Sequence, residues 1–300
     1  MDRLKLLVAD GCSWTAGDMV DPVLFPDEPW HVNHPLNAPY RFPKVWPHKL
    51  GKLLNVETEN IASSGSSNDG IVRRILHKIP ILLKKYKAEE ICVVIGWTSP
   101  ERKDFFFKEP EQDRSTWDTF YPAELDNHSV EHKEKIKFYN IYGRYYWNKE
   151  EYVSRYMISL ITIHNYLKVN NIKHFFFDAF YEAPESVLNP DKHAVFESVS
   201  LNESLISLYD LWKNQTTYLE FLQLEGVFEQ YFSIYEKVFI KESMIEIMKL
   251  EISETKQHNR RMKVFDETYH PTEFSHKVYA KHLYNRIQNH FLTNAFFSLL

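Results

Sequence analysis

The chain has 300 residues, of which 44% are hydrophobic and 15% aromatic, which is ample for a large packed core. Its 36 Lys and Arg residues are outnumbered by 41 Asp and Glu residues, and the net charge of −5 leaves no basic excess for nucleic acid or an anionic membrane surface. We therefore expect neither nucleic acid nor a membrane among its partners.

Cysteine usage and the start of the chain indicate a reducing compartment. Cys12 and Cys92 lie in or beside apolar strand patterns, whereas a disulfide framework would need more cysteines at loop positions. The first residues lead directly into a predicted strand rather than into a signal-peptide core, and no segment approaches the roughly 18 uninterrupted apolar residues of a membrane span. We expect two reduced thiols and a cytoplasmic protein, with the oligomeric state left open.

Strand and helix patterns alternate from the start of the chain. Apolar or β-branched runs predict strands over 4–9, 56–61 and 90–96, and the first is short enough for a strand buried on both faces. A short helix is predicted over 46–54, and a longer helix follows the small-residue turn 63–70. This order of elements predicts right-handed crossovers and a parallel sheet.

The helix after that turn has an apolar face and several candidate caps. Helical spacing predicts that its buried face consists of Ile71, Ile75, Leu76 and Ile79. Ser67, Asn68 or Asp69 could cap its first turn. Pro80 lacks a backbone N–H, so we expect it to kink or end the helix.

Three segments interrupt the alternation of strands and helices. Residues 17–47 are rich in proline and aromatic side chains and are predicted to form a long ordered loop at the active site. Residues 105–147 are predicted to be an irregular aromatic connector. Residues 197–252 show helical spacing of apolar side chains and are predicted to be a helical insertion, either a lid over the site or a distant interface.

The remaining part of the second half resumes the α/β pattern. A helix is predicted over 149–169 and a strand over 173–178. A closing helix is predicted from the apolar stripe Phe274, Val278, Leu283 and Ile287. With no internal repeat in between, we expect a single domain over residues 1–300.

Ser13 and His270 are the residues that indicate a reaction. Ser13 follows the first predicted strand, and the carboxyl ends of parallel strands form the crevice in which such sheets bind ligands. His270 stands just after the carboxylates Asp266 and Glu267, before the closing helix. Because a serine hydroxyl needs a base within hydrogen-bond reach to act as a nucleophile, an early serine with a late acid–histidine pair predicts a serine hydrolase.

The chain resembles the SGNH or GDSL-type hydrolases in four short segments that follow the family's order. Gly11-Cys12-Ser13 with Thr15 is similar to the first segment, 60–68 to the second, 94–99 to the third, and His270-Pro271 to the histidine segment. The resemblance implies a flavodoxin-like, three-layer α/β/α fold with Ser13 as nucleophile and His270 as base. It does not extend to the aromatic connector or the helical insertion.

The same resemblance implies an oxyanion hole and an acid. The backbone N–H groups of Ser13 and Gly65 would be two donors to the oxyanion. The family's third donor is an asparagine at the position of Thr98, so either the Thr98 hydroxyl or the Asn68 amide would complete the hole.

The acid that orients His270 has more than one candidate. The family's acid stands three residues before the histidine, where this chain has Glu267, and Asp266 lies one residue further away. Either carboxylate could orient His270, or a backbone carbonyl could do so in a Ser–His dyad. Cys12 is an alternative nucleophile, which the register of the first segment disfavours.

The expected function is ester hydrolysis through an acyl-enzyme, on a small-molecule or carbohydrate ester. Family habit and the aromatic residues favour O-deacylation of a carbohydrate. No cofactor or metal is expected, because His270, His276 and His282 are each six residues apart and not the four that a zinc pair on a helix requires. The alternatives are a binding module on the same fold that has lost efficient catalysis, and an acyltransferase.

Overall fold

The computed structural model describes residues 4–18, 20, 38–109, 114–120, 133–179, 225–253 and 270–297. Its strands are β1 (Leu6–Asp10), β2 (Glu57–Asn60), β3 (Ile91–Trp97), β4 (Lys103–Glu109), β5 (Arg114–Phe120) and β6 (Lys173–Asp178). Its helices are α1 (Ser13–Ala16), α2 (Ala38–Arg41), α3 (Trp46–Leu54), α4 (Asn68–Leu82), α5 (Lys133–Tyr145), α6 (Lys149–Val169), α7 (Glu225–Val238), α8 (Met244–Ser253) and α9 (Glu273–Phe297). Short 3₁₀ turns cover Phe42–Lys44 and Ala88–Glu90.

Four of these strands form a parallel sheet in the order β2-β1-β3-β6. Every residue of β1 and β3 is buried, as expected for central strands that are covered on both faces. Asp10 of β1 lies opposite Ile95 of β3, and Trp97 of β3 lies opposite Asp178 of β6. The predicted parallel sheet and the α/β fold class are confirmed.

Helices cover both faces of the sheet, so the core consists of two separate apolar layers. Alternate strand residues such as Val8, Val93 and Phe176 pack with α4, α6 and α7 on one face. Their neighbours Leu7, Val94 and Phe177 pack with α3, α8 and α9 on the other. The period of two along each strand therefore sorts the sheet side chains into the two layers.

Elements with clear end signals form where they are predicted. α3 spans the predicted 46–54, with Pro47 in its first turn and Asn55 as its C-cap at a φ of 55°. α6 spans the predicted 149–169, where the Asn148 side chain accepts a hydrogen bond from the Glu151 N–H at 2.8 Å. β6 likewise spans the predicted 173–178.

The aromatic connector is not irregular, and that prediction is wrong for its described part. β4 and β5 form an antiparallel hairpin that is followed by α5. Alternate aromatic rings face opposite ways: Phe105 packs on Phe138 of α5 at a centroid distance of 4.9 Å, while Phe106 and Trp117 point outward and are 59% and 51% exposed. An amphipathic strand pair rich in aromatic residues on both faces hides the period of two that would have identified it.

The prediction for α4 needs two corrections. Pro80 does not end this helix, which continues to Leu82, because Pro80 lies in the last turn and removes only one late backbone hydrogen bond. Leu76 is 37% exposed and does not belong to the buried face. Of the candidate caps, Ser67 is the one whose hydroxyl accepts a hydrogen bond from the Gly70 N–H, at 3.1 Å.

Two of the interrupting segments are described only in part. Within the predicted loop 17–47, residues 38–44 are helical, and residues 21–37 lie outside the described part of the chain. Within the predicted insertion 197–252, α7 and α8 confirm helix from residue 225 onward, while 197–224 lie outside it. No helix in the described ranges is both long and apolar enough to cross a membrane.

The fold buries a titratable pair that makes its stability depend on pH. Asp178, at the end of β6, is 9% exposed, and its Oδ1 accepts a hydrogen bond from the Tyr156 hydroxyl at 2.6 Å. Burial raises the pKa of Asp178 to about 7, because desolvation outweighs the Tyr156 hydrogen bond and Glu246 adds a like charge. In the unfolded chain the carboxyl recovers its ordinary pKa of 3.8.

We expect the free energy of unfolding to fall as the pH rises from about 4 to about 7. The folded chain keeps the Asp178 proton over this range while the unfolded chain has lost it, so rising pH favours the unfolded chain. Asp178→Asn keeps an acceptor for Tyr156 but cannot ionise. Urea unfolding at pH 5 and pH 8 should show the wild type losing about 1 to 4 kcal/mol more than this variant. Parallel losses would contradict the assignment.

Candidate active site

The candidate residues collect at the carboxyl edge of the parallel sheet. Asp10 of β1 is paired with Ile95 of β3. Ser13 comes three residues after Asp10, and Thr98 comes three residues after Ile95. Both residues therefore lie just beyond the same edge of the sheet. In a parallel sheet this edge is the crevice in which ligands bind.

Ser13 is the first residue of the short helix α1. The helix ends at Gly17, whose φ of 84° is left-handed, and the N–H groups of Gly17 and Asp18 donate to the Ser13 carbonyl at 2.8 and 3.0 Å. Ser13 is 8% exposed. Neither its hydroxyl nor its backbone N–H makes a hydrogen bond with another residue in the described ranges, so both groups can serve a ligand.

The turn before Ser13 requires glycine because the backbone passes too close to its neighbours. A Cβ on Gly11 would lie 2.3 Å from Thr15 Oγ1 and 2.9 Å from the Gly96 carbonyl oxygen. Cys12, the alternative nucleophile, is fully buried beneath this turn. Ser13, and not Cys12, is therefore the residue that reaches the surface at this edge of the sheet.

A second turn, between β2 and α4, is attached to the first by side-chain and backbone bonds. Asn60 Nδ2 donates to the Thr15 carbonyl at 2.9 Å, and Asn60 Oδ1 accepts from the Ala62 N–H at 3.2 Å. The Ser63 N–H donates to the Gly11 carbonyl at 3.4 Å. These bonds bring the predicted second segment against the turn that carries Ser13.

Gly65 lies at the tip of this second turn and has a left-handed φ of 67°. A residue with a Cβ would be strained there. Ser64, the residue before it, donates its hydroxyl proton to Asp18, a carboxylate that is 6% exposed just after α1. The Gly65 turn is therefore connected to both ends of the Ser13 turn.

Beneath the two turns lies a buried ion pair between Asp10 and Arg74. Arg74 Nη2 donates to Asp10 Oδ1 at 2.7 Å and to the Gly11 carbonyl at 3.1 Å, and Arg74 Nη1 donates to Ser66 Oγ at 2.9 Å. Asp10 is fully buried, and its burial raises its pKa to about 6 although Arg74 opposes the rise. One guanidinium thus ties the end of β1 to the Gly65 turn.

The two candidates for the third oxyanion donor, Thr98 and Asn68, contact each other. Asn68 Nδ2 donates to the Thr98 carbonyl at 2.9 Å, and the Thr98 N–H donates to Asn68 Oδ1 at 3.0 Å. Thr98 is 1% exposed and Asn68 is fully buried. The paired bonds fasten the first turn of α4 to the end of β3.

A further arginine, Arg102, bridges the second and third turns. Its Nη1 donates to Thr98 Oγ1 at 3.1 Å and to the Ser66 carbonyl at 3.3 Å. Arg155 of α6 in turn donates to the Arg102 carbonyl at 3.0 Å and to the Pro100 carbonyl at 3.1 Å. The loop after β3 is therefore held by α6.

His270 is half-buried and precedes α9, whose first turns pack on α3. The Trp46 N–H at the start of α3 donates to His276 Nδ1 at 3.2 Å, and Lys49 pairs with Glu273 at 2.7 Å. Burial, helped by the nearby charges of Lys49 and His270, lowers the pKa of His276 to about 3. His276 is therefore a neutral packing residue that fixes the helix behind His270.

Ser13 and His270 are not hydrogen-bonded to each other in this structure. Catalytic hydrogen bonds are often long in ligand-free enzymes and shorten when a substrate binds. Asp266 and Glu267, the two candidate acids, lie outside the described residues. The assignment of Asp266 or Glu267 as the acid that orients His270 therefore stays a prediction.

Sequence reasoning did not find Asp10, Arg74 or Arg102. Asp10 directly follows the predicted strand 4–9, and the two arginines have the pattern of solvated helix or loop charges. Their partners are distant in sequence, so no local spacing could have signalled them. In the part of the chain that the structure describes, no three His, Cys, Asp or Glu side chains are grouped so that they could hold a metal ion.

Three solved structures similar to this one are esterases or lipolytic proteins. An acetyl xylan esterase has a TM-score of 0.46 and 8% identity over 94% of this chain and 99% of its own. A member of the lipolytic G-D-S-L family from Veillonella parvula has a TM-score of 0.40 and 12% identity, over 92% and 94%. The esterase EstA from Pseudoalteromonas sp. has a TM-score of 0.43 and 11% identity, over 95% and 97%. Likeness at this level assigns no residue a role.

One family of sequences matches a large part of this chain. The model of DUF6071, described as a family of unknown function, matches residues 31–205, which is more than half of the chain. The curated proteins contain no match. The match begins after Ser13 and ends before His270, so it does not include either residue.

Proposed function

The chain belongs to DUF6071, a family of unknown function, and from its site we propose that it is a serine hydrolase that cleaves ester bonds through an acyl-enzyme. The observation that carries this proposal is the environment of Ser13. Its hydroxyl and N–H are both unengaged among the described residues, at the edge where the Gly65 turn and Thr98 also lie. A serine whose only role was to cap a turn would form a hydrogen bond between its hydroxyl and a backbone group.

In the proposed reaction, His270 accepts the Ser13 hydroxyl proton as the serine oxygen attacks the ester carbonyl carbon. The N–H groups of Ser13 and Gly65 hold the oxyanion, with Thr98 or Asn68 as the third donor. The alcohol leaves with the proton from His270. Water then gives a proton to His270, attacks the acyl-enzyme, and releases the acid as Ser13 regains its proton.

Asp266 or Glu267 has the role of orienting His270. A carboxylate beside the imidazole would fix its tautomer and stabilise the imidazolium that forms when Ser13 is deprotonated. Without such a carboxylate, a backbone carbonyl would perform the same task in a Ser–His dyad. In all cases the whole chain, residues 1–300, acts as one hydrolase domain.

The proposed substrate is a small-molecule or carbohydrate ester, with O-deacylation of a carbohydrate as the narrower form. Exposed rings support the carbohydrate: Phe106 and Trp117 face outward on the hairpin, with centroids 5.0 Å apart. Flat apolar faces suit the apolar faces of sugar rings. This hairpin begins six residues after Trp97, the last residue of β3.

A binding module on the same fold is the second candidate. The observation that favours it is the lack of a hydrogen bond between Ser13 and His270. In that case the same edge of the sheet would bind an ester or a sugar without hydrolysing it.

Turnover of p-nitrophenyl acetate and butyrate, together with labelling by a phosphonofluoridate, tests the proposal. We expect turnover by the wild type and a probe adduct that mass spectrometry maps to Ser13. Ser13→Ala should lose both. Cys12→Ala is the matched control, because it removes the neighbouring thiol and should keep the adduct.

Two results would overturn the proposal. An adduct that survives in Ser13→Ala but not in Cys12→Ala would assign the reaction to the thiol. Absence of both turnover and adduct from the folded wild type would favour the binding module.

A further inference from the structure

We propose that Arg102 is a positioning residue of the oxyanion hole, which orients the Thr98 hydroxyl so that this hydroxyl acts as the third donor. The inference rests on the proposed ester hydrolysis and deepens it. The evidence for it is the set of hydrogen bonds that Thr98, Asn68 and Arg102 make with one another.

The contact with Arg102 sets the direction of the Thr98 hydroxyl proton. A guanidinium has only donors, so in its 3.1 Å contact with Arg102 Nη1 the Thr98 oxygen must accept. The Thr98 hydroxyl proton must then point away from Arg102. No acceptor in the described ranges receives that proton, although Thr98 is only 1% exposed.

A buried hydroxyl proton with no acceptor is costly unless a ligand supplies one. At this position the ligand atom would be the oxygen of an attacked carbonyl. Donation from a charged guanidinium into the hydroxyl oxygen also polarises the O–H bond, which strengthens it as a donor. Arg102 thus compensates for the short reach of threonine where the resembled family carries an asparagine.

Asn68 is attached to the backbone of Thr98. Its carbonyl oxygen accepts from the Thr98 N–H at 3.0 Å, and its amide nitrogen donates to the Thr98 carbonyl at 2.9 Å. The Asn68 side chain therefore holds the backbone of Thr98 in place through its oxygen and one of its two N–H groups. The second N–H bonds no described residue, and the Asn68→Ser variant below tests whether it is the donor instead.

Both arginines contact the Gly65 turn. Arg102 Nη1 also donates to the carbonyl of Ser66, the residue after Gly65, and Arg74 Nη1 donates to the Ser66 hydroxyl. One guanidinium therefore links the Thr98 hydroxyl to the turn that contains Gly65. Arg102 thus fixes Thr98 relative to this turn, while Arg74 supports the turn through the Ser66 hydroxyl.

A double-mutant cycle in kcat tests this coupling, with p-nitrophenyl butyrate as substrate. Thr98→Val removes the hydroxyl at nearly equal volume and should lower kcat about 10²- to 10³-fold, as expected for one oxyanion donor. Arg102→Met should lower kcat about tenfold and change KM less than threefold. In the Thr98→Val background, Arg102→Met should cost clearly less than tenfold in kcat, because the Thr98 hydroxyl is gone and only the bond to the Ser66 carbonyl remains to be lost.

Conservative variants separate this role from a merely structural one. Thr98→Ser keeps the hydroxyl and should retain kcat within about tenfold of the wild type, whereas Thr98→Val does not. Asn68→Asp is not informative, because it adds a charge, so Asn68→Ser serves as the comparison. Thermal unfolding of every variant checks that the fold is intact.

Three results would overturn the inference. If Arg102→Met and Thr98→Val lower kcat independently, Arg102 does not act through the Thr98 hydroxyl. If Thr98→Val keeps kcat and Asn68→Ser loses it, the amide is the donor. If the wild type shows neither turnover nor a phosphonofluoridate adduct at Ser13, the proposed function fails and this inference fails with it. If the adduct forms but the effects of Arg102→Met and Thr98→Val on kcat are additive, only the inference is overturned.

Discussion

Replacing His270 with alanine is expected to lower kcat for a p-nitrophenyl ester by about 10⁴- to 10⁶-fold, as much as replacing Ser13 with alanine. The double variant should lose no more than either single variant. The reason is that nucleophile and base act as a unit, so the second removal finds nothing left to disrupt. Steady-state kinetics on the three variants, each checked for folding by circular dichroism, measures this.

His77→Ala is the matched control for His270→Ala. His77 is an exposed histidine on α4, and its replacement should leave kcat within about twofold of the wild type. If His270→Ala retains more than a tenth of the wild-type kcat while Ser13→Ala does not, His270 is not the base. Additive losses in the double variant would likewise contradict a joint role.

Replacing Arg74 with methionine is expected to lower the free energy of unfolding by about 3 to 5 kcal/mol. The change removes the partner of Asp10, which is fully buried, and leaves Ser66 Oγ and the Gly11 carbonyl without that donor. Urea unfolding by the variant and the wild type measures the loss. Adding Asp10→Asn to the variant should restore part of the stability, because no buried charge is then left alone.

The loss in Arg74→Met should be larger at pH 8 than at pH 5. Burial already raises the pKa of Asp10 to about 6, and removal of the cation raises it further, so folding becomes more costly as the carboxyl ionises. Arg144→Met is the control, since Arg144 is exposed on α5 and its guanidinium lies over the ring of the exposed Tyr145. Its effect should be about 0.5 kcal/mol or less. Equal losses at both pH values would show that Asp10 does not ionise as described.

Much of the fold follows from local signals in the sequence. β1 and β3 are continuous apolar runs, and each is buried along its whole length. The bounds of α6 agree with the predicted ones because Asn148 caps its start and the chain turns after Val169. Such periodic and capping signals act over a few residues, so they can be recognised without knowing the rest of the structure.

The hairpin β4–β5 shows where such signals fail. Its strands carry aromatic rings on both faces, because one face packs on α5 and the other is exposed. Because Phe105, Phe106 and Phe107 are consecutive, the alternation of polar and apolar residues that marks a half-buried strand is lost. Pro80 does not end α4 for a different reason: a proline in the last turn costs one hydrogen bond, which the packing of Ile79 and Leu82 offsets.

The candidate site was predictable only in its strand-end residues. Ser13, Gly65, Thr98, Asn68 and His270 could be named because each follows a predicted strand or precedes a predicted helix, in the order of a known family. The resemblance left open which of Thr98 and Asn68 would be the donor. In our proposal, the hydrogen bond from Arg102 to Thr98 favours the hydroxyl.

By itself, the sequence determined the alternation of strands and helices, the parallel sheet, and the serine and histidine at opposite ends of the chain. These properties depend on hydrophobic period, turn chemistry and residue order, which are local. Only the tertiary structure decided that Arg74 pairs with Asp10 over a separation of 64 residues and that Arg102 meets both Ser66 and Thr98. Those contacts depend on how the turns at the carboxyl edge approach one another, because a charge becomes a buried partner only after distant segments have excluded water around it.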